Sequence, residues 1–233
     1  MTDNKSIFDL SWPEYYKKIT NEMLHGHTNI YKRRVAIIST AGKLFKKNKK
    51  FCDMNEEERK FIAGMKNNIT EKIFQSFEHI EGENTGWFGN MRGAGYYTHE
   101  VIINNKELSL ALDAIPISGK ISKQHFLDFW EIFEKIFTRN FVAPPTRLLC
   151  MKRPDTFICL NSANIKNIKK TFSIKKSKID KHFYWDEIIE RIFACNWWKN
   201  PMPNKDNPDE IVISNARAAF LDSLVYNRTT RRG

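Results

Sequence analysis

Residues 143–171, APPTRLLCMKRPDTFICLNSANIKNIKKT, combine two prolines, a basic turn and two segments with helical spacing. Pro144-Pro145 favours the start of a helix, because proline fixes φ and the first turn of a helix needs no N–H. Pro154 predicts the end of that helix, since the residue before a proline avoids the α region. We therefore expect a short helix over residues 146–151, and the rest of the chain packs around it.

The second half of this stretch predicts a buried connector followed by a helix that carries lysines. The connector, residues 157–160, is apolar, and Asn161 or Ser162 can cap the helix that follows it. Three lysines share one face of that helix at positions i, i+3 and i+4, namely Lys166, Lys169 and Lys170. A helix with a lysine row suits contact with a phosphate backbone.

Hydrophobic residues recur at helical spacing along the whole chain and predict a mainly α fold. Helix starts are indicated at Ser11, at Thr28 or Asn29, at Asn55 and at Ser122. Long continuous helices are predicted over residues 62–80, 184–196 and 209–226. We expect a multi-helix globular domain with a Gly/aromatic-rich central loop and little or no sheet.

The length of 233 residues allows one large domain or two small ones. We expect a single helical domain over residues 1–233. The alternative is an N-terminal helical subdomain, 1–85, and a C-terminal helical subdomain, 98–233, joined by the Gly-rich loop 86–97.

The formal charge of +11 is unevenly distributed along the chain. Residues 32–50 carry eight Lys/Arg and no acid, and residues 139–181 carry eleven Lys/Arg against Asp155 and Asp180. The rest of the chain therefore carries a net −6. Segregated positive charge is typical of an anion-binding face, and the alternative is a solvated face that serves solubility.

We interpret basic and polar side chains from both windows as a nucleic-acid-binding surface: Lys32, Arg33, Arg147, Lys152, Arg153, Asn161, Asn164, Lys166, Lys169, Lys170, Lys175 and Lys176. The Gly-dense stretch 81–97, EGENTGWFGNMRGAGYY, adds Trp87 and Arg92. An arginine among aromatic rings can stack on bases or hold a phosphate. The alternative is an ordered connector whose aromatic side chains fill the core.

Catalytic patterns are sparse. A nuclease needs clustered acids that hold Mg²⁺, and the forward Glu-x-Lys of the chain, Glu58-Arg59-Lys60, lies in a predicted helix. H-E-x-x-H, G-x-S-x-G and P-loop motifs are absent from the sequence. Lys152 and Asp155 have the chemistry of a nucleophile and an acid/base in base excision, and the alternative is a turn aspartate beside solvated lysines.

The run from Thr146-Arg147-Leu148-Leu149 through Pro154-Asp155-x-Phe157 to Asn161 resembles the helix-hairpin-helix DNA glycosylase-like folds. In that pattern a basic, leucine-containing helix is followed by a P-x-x-F turn and by a polar residue that starts the next helix. Asn161 stands where such proteins often carry Asp, and residues 115–120 lack the G-x-G turn of the hairpin. The chain as a whole is similar to uncharacterised helical proteins of bacterial restriction and phage-defence loci.

These observations favour a nucleic-acid-binding protein, with DNA as the ligand, that serves as a recognition or accessory component of a bacterial restriction or phage-defence system. A non-catalytic or accessory role is favoured over an enzymatic one, and no cofactor is expected. The first alternative is an enzyme acting on DNA, a nuclease or a glycosylase-like protein, with Mg²⁺ required only by a nuclease. The second is a helical adaptor whose basic face binds an acidic protein partner, and a protein partner in a multi-subunit system is compatible with the first reading too.

The compartment follows from the N-terminus and the cysteines. MTDNKSIFDL lacks an apolar targeting core, and no apolar run approaches membrane-spanning length. The four cysteines form no C-x-x-C pair, so neither a zinc site nor a disulfide framework is predicted. We expect a cytoplasmic, reduced protein without membrane contact.

Overall fold

The computed structural model describes residues 5–24, 28–77, 88, 96–137 and 141–226. Within these ranges every regular element is a helix and none is a strand, which confirms the mainly α prediction. The Gly/aromatic-rich loop lies outside them, apart from Phe88 and the first residues of a helix that begins at Tyr96.

The first half of the chain contains α1 Trp12–Leu24, α2 Thr28–Asn48, α3 Glu56–Ala63, α4 Asn68–Gln75, α5 Tyr96–Asn104, α6 Lys106–Ala114 and α7 Lys123–Ile136. The second half contains α8 Ala143–Lys152, α9 Ile165–Thr171, a π-helical segment Phe183–Ile189 that continues into α10 Glu190–Ala194, then α11 Asn196–Lys199, α12 Pro208–Ser214, α13 Arg217–Phe220 and α14 Asp222–Val225.

Two predicted helix starts are confirmed by reciprocal caps. The Asn55 side chain accepts the N–H of Glu58, and the Glu58 carboxylate accepts the N–H of Asn55. Ser122 and His125 make the equivalent pair at the start of α7. Because each cap satisfies N–H groups that the first turn leaves unpaired, these starts are determined by a few neighbouring residues.

The predicted helix over residues 62–80 is wrong, because the chain breaks between α3 and α4. Gly64 adopts φ 77°, a left-handed conformation that ends α3, and Asn67 caps α4 through the N–H of Thr70. Apolar side chains keep helical spacing across the break because both helices pack on the same core. The predicted residues 78–80 lie outside the described part of the chain.

Other boundaries differ from the prediction as well, and α8, predicted over residues 146–151, spans Ala143–Lys152. The helix predicted over 184–196 is π-helical over its first part and ends at Cys195, which is extended with ψ 139°. The helix predicted over 209–226 is divided into α12, α13 and α14. The lysine-bearing helix begins at Ile165, later than predicted, because the side chain of Asn161 accepts the N–H of Ala163 and holds the preceding residues in a turn.

The core is rich in aromatic rings, and α8 lies inside it. Every residue of α8 from Pro144 to Lys152 is buried. Phe126, Phe129, Trp130 and Phe133 make α7 a core helix, as predicted. The connector 157–160 is also buried, so its predicted role is confirmed.

The first helix packs against the last third of the chain. The Tyr15 ring stacks on Trp197 at a centroid distance of 3.9 Å, and the Trp12 indole N–H donates to Glu210 at 2.8 Å. The buried apolar residues form one cluster that extends from Ile7 to Val225.

Candidate nucleic-acid interface

Arg147 lies in the interior rather than on a surface. Its side chain is 1% exposed, and its guanidinium donates to the carbonyls of Ile62 (3.0 Å), Phe61 (3.2 Å) and Phe88 (3.0 Å). Phe61 and Ile62 belong to the last turn of α3, where carbonyl groups have no partner within the helix. Arg147 therefore caps the carboxyl end of α3 inside the core.

Lys152 caps the carboxyl end of α6 in a similar way. Its ammonium donates to the carbonyls of Leu112 (2.8 Å) and Asp113 (3.2 Å) and lies 3.6 Å from the Asp113 carboxylate. Burial lowers the pKa of Lys152 to about 8, against the opposing effect of Asp113. The charge is thus stabilised by the negative end of a helix and by one carboxylate.

Arg153 holds the turn that follows α6. Its guanidinium donates to the carbonyls of Pro116 and Gly119, both at 2.8 Å, and makes a bidentate pair with Asp155. Asp155 is thus paired with Arg153, whereas Lys152 is paired with Asp113. The two residues considered for base-excision chemistry therefore belong to separate networks.

Asn164 and Arg33 are interior as well. The Asn164 amide donates to the carbonyl of Cys159 and to the carboxylate of Asp222, both at 2.7 Å, and its oxygen accepts the N–H of Asn161. The buried Arg33 guanidinium lies 4.7 Å from the centroid of the Phe74 ring.

The structure thus corrects five positions of the predicted surface: Arg33, Arg147, Lys152, Arg153 and Asn164. All five are buried, and most of their polar groups satisfy backbone carbonyls or core side chains. A group that is buried and engaged in this way does not reach a phosphate in the folded protein. Asn161 is partly exposed, and its side-chain oxygen is used by the turn before α9.

The remaining described lysines of the predicted site lie at the surface. Lys32, Lys166, Lys170, Lys175 and Lys176 are exposed, and Lys169 is partly exposed with its ammonium 5.9 Å from the Phe183 ring centroid. None of these six ammonium groups lies within salt-bridge distance of a carboxylate in the described ranges. Farther along, Lys178 pairs with Asp180 and Lys181 with Glu134.

The backbone that leads to Lys175 and Lys176 is fixed by the hydrogen bonds that end α9. Ser173 adopts φ 53°, its N–H donates to the Lys170 carbonyl, and the N–H of Ile174 donates to the Lys169 carbonyl at 2.8 Å. This is the 6→1 hydrogen bond of a Schellman motif. Phe172 and Ile174 are buried on either side of it, so the chain leaves α9 in a defined direction with Lys175 and Lys176 exposed.

The acids of the Glu-x-Lys pattern serve local structure. Glu58 is buried, accepts the N–H of Asn55 and pairs with Lys47 at 3.0 Å. Lys60 pairs with Glu56 on the same helix. In the part of the chain that the structure describes, no group of three or more His, Cys, Asp or Glu side chains is arranged to hold a metal ion.

Two predicted site residues, Trp87 and Arg92, lie outside the described residues. Conversely, exposed lysines at the carboxyl end of α2 were not assigned to the site: Lys43, Lys46, Lys49 and Lys50. The charge of residues 32–50 was the signal that indicated them. Among the described helices, none is both long enough and apolar enough to span a membrane.

Comparison with known proteins returned no match: no protein-family model, no curated protein and no solved structure is similar to this chain. The resemblance to helix-hairpin-helix glycosylase-like folds and to proteins of defence loci therefore stays a prediction.

Proposed function

We propose that this chain is a DNA-binding protein that contacts the phosphate backbone through a basic segment, defined as Lys166, Lys169, Lys170, Lys175 and Lys176. One observation carries the proposal: these lysines are clustered at the surface on α9 and the residues after it, and no described carboxylate pairs with them. Clustered like charges repel one another, and a phosphate backbone is a ligand that relieves this repulsion.

The basic segment differs from the buried cations because its ammonium groups are available to a ligand. Arg147, Lys152 and Arg153 have donors committed to backbone carbonyls, whereas the ammonium groups of the segment remain open to solvent and to counterions. Binding of the segment to DNA releases counterions from the duplex, and that release supplies affinity without sequence preference.

The role that fits such a surface is recognition or support rather than chemistry. We propose that the protein acts as the DNA-recognition or accessory component of a bacterial restriction or phage-defence system, the class that its sequence resembles. In such a role the catalytic groups belong to a partner subunit.

The salt dependence of binding tests the proposal. We expect the wild-type protein to bind duplex DNA with an affinity that falls steeply between about 50 and 200 mM salt. Lys166→Gln/Lys170→Gln removes two charges, so the slope of log K against log salt should become shallower by about 2, equally for unrelated sequences. Fluorescence anisotropy with labelled duplexes measures both quantities.

A matched control is Lys106→Gln/Lys135→Gln, which neutralises two exposed lysines on α6 and α7. This variant loses the same net charge as Lys166→Gln/Lys170→Gln. If DNA contacts only the basic segment, the control should leave the slope of log K against log salt nearly unchanged. Equal slopes for both double variants would overturn the assignment of the basic segment.

A further inference from the structure

The outward face of α2 carries a second lysine row. Residues 32, 36, 39, 40, 43, 46 and 47 lie on one side of this helix at the spacing of 3.6 residues per turn. All seven are exposed or partly exposed, whereas Arg34, Ile38, Ala41 and Phe45 on the other side are buried. The helix thus presents a single solvent-facing stripe, which we call the α2 face.

The α2 face has lysines towards both ends and small residues between them. Lys32 stands at one end and Lys43, Lys46 and Lys47 at the other, with Ala36, Ser39 and Thr40 in the middle. From Lys32 to Lys50 the chain contains no acid. Lys47 reaches Glu58, and no other lysine of the face is paired with a carboxylate in the described ranges.

The electrostatics of the helix itself do not account for this row. The helix dipole favours cations in the last turn, which suits Lys46 and Lys47. It gives no benefit to Lys32, which lies in the second turn, near the positive end of the dipole. The position of Lys32 is therefore not explained by the helix dipole.

The carboxyl end of the α2 face is held in place by Asp113. One oxygen of this carboxylate accepts the N–H of Phe51 at 2.6 Å, and the other accepts the N–H of Cys52 at 3.2 Å. Phe51 is buried, and Lys49 adopts φ 60° where the helix ends. The exposed side chains of Lys49 and Lys50 consequently extend from a fixed backbone at the end of the face.

The helix α2 is linked to the start of α9 through Asp222. Its carboxylate pairs with Arg34 of α2 at 2.9 Å and accepts from Asn164, the residue before α9, at 2.7 Å. Residue 34 is in the part of α2 that carries Lys32. Because Arg34 lies on the buried side of α2, Asp222 fixes the start of α9 to the inward side of the same part of α2 that carries Lys32 on its outward side.

We infer that the α2 face is a second phosphate-contact surface and that double-stranded nucleic acid contacts it together with the basic segment. The distance from Lys32 to Lys47 along the helix is about 22 Å at about 1.5 Å per residue. This length corresponds to roughly six or seven base-pair steps of about 3.4 Å. The small residues between the lysines allow close approach of a backbone.

The chemistry of the face favours a duplex over a single strand. Binding of unpaired bases relies on aromatic rings on which the bases stack. The seven residues of the face are Lys, Ala, Ser, Thr, Lys, Lys and Lys, and their polar groups suit phosphate oxygens. The inference rests on the proposed function and extends its contact surface.

The experiment compares Lys43→Gln/Lys46→Gln with the wild type on duplexes of two lengths. On a duplex of about 20 base pairs, the slope of log K against log salt should be shallower by about 2 for the variant than for the wild type. The variant should also bind several-fold more weakly near 100 mM salt. On a hairpin stem of about six base pairs, which is too short to contact both surfaces, the difference from the wild type should shrink. The control is again Lys106→Gln/Lys135→Gln.

The outcomes separate the two proposals. Absence of any salt-dependent binding by the wild type would overturn the proposed function itself. If Lys166→Gln/Lys170→Gln weakens binding but Lys43→Gln/Lys46→Gln behaves like the control, the α2 face is not a contact surface. Tighter binding of single-stranded DNA than of duplex would overturn the choice of ligand. All of these substitutions are at exposed positions, so circular dichroism should show unchanged helicity.

Discussion

At the scale of single residues, the cations of α8 act as helix caps within the core. A buried charge is costly to desolvate, and the carbonyls at the carboxyl end of a helix offset part of that cost because they form the negative end of its dipole. Arg147 uses this arrangement at α3 and Lys152 uses it at α6. These side chains carry charge that contributes to packing rather than to recognition.

Lys152 gives a prediction about pH. Its pKa is about 8 in the folded protein, below its ordinary value in an unfolded chain, so between these two values the unfolded state binds more protons. The stability of the wild type relative to Lys152→Met should therefore rise with pH from about 8 to about 10.5, by at most about 1.4 kcal/mol per pH unit, and stay flat below pH 8. Urea unfolding at a series of pH values measures this difference.

Lys106→Met serves as the control for this measurement, because Lys106 is exposed. Its stability should stay parallel to that of the wild type over the same pH range. If the stability of Lys152→Met were also parallel to that of the wild type over this pH range, the lowered pKa of the buried Lys152 ammonium would be contradicted.

At the scale of elements, three of the described helices end on a residue with positive φ: α2 ends at Lys49, with φ 60°, and α3 and α9 end in the same way. α3 ends at Gly64, with φ 77°, where glycine adopts the left-handed conformation at little cost. The residues after α9 use Ser173, with φ 53°, for the same purpose. A residue with a Cβ atom is strained in this region, so the ends of α2 and α9 are less favourable than the end of α3.

Ser173→Gly should therefore stabilise the protein by roughly 0.5 to 1 kcal/mol, because relief of the strain exceeds the entropy that glycine adds to the unfolded chain. Ser173→Ala keeps the Cβ atom and should give no gain. Thermal unfolding followed by circular dichroism compares the two variants. A gain for alanine equal to that for glycine would argue against the left-handed conformation at this position.

Some helix boundaries could be predicted from the sequence and others could not. The starts of α3 and α7 could be predicted, because a cap involves residues three positions apart. The break between α3 and α4 was missed because apolar spacing continued across it, although Gly64 and Asn67 were local signals for it. The side chain of Asp180 caps the π-helical segment through the N–H of Phe183, but no cap or breaking residue distinguishes its π-helical geometry from an α-helix.

At the scale of the whole molecule, the predicted site separated into an exposed part and a buried part. The partners of Arg147 are 59 to 86 positions away in sequence, so no local pattern could show that this arginine is interior. Lys166 and Lys170 could be placed correctly at the surface, because their exposure follows from the helix face that carries them. Charge counts indicate a basic region, and only tertiary packing decides which of its charges reach solvent.

The Arg34–Asp222 pair connects α2 to α14 and yields a prediction for the whole fold. Both side chains are almost fully buried, at 4% and 2% exposure. Asp222→Asn keeps the shape but removes the carboxylate charge that lies 2.9 Å from the Arg34 guanidinium, so it should lower the free energy of unfolding by about 3 to 5 kcal/mol. Urea unfolding followed by tryptophan fluorescence and by circular dichroism should show both signals shifting together.

Asp186→Asn is the matched control, because the Lys123–Asp186 pair is partly exposed, at 41% and 36%. Loss of the Lys123–Asp186 pair should lower the free energy of unfolding by less than about 1 kcal/mol. If Asp222→Asn shifted one signal and not the other, the N-terminal and C-terminal helices would unfold as separate units, which corresponds to the alternative of two subdomains.

The clamp of Asp113 on the backbone of Phe51 and Cys52 has a practical consequence for labelling. Cys52 is the one partly exposed thiol of the four. Burial raises the pKa of all four thiols, to about 12 for Cys159 and Cys195 and well above the ordinary value for Cys150, so exposure is what distinguishes Cys52. A maleimide dye should therefore attach to the native chain at Cys52 alone. Because Cys52 is two residues beyond Lys50 on a fixed backbone, the dye would report ligand arrival at that end of α2 without any engineered cysteine.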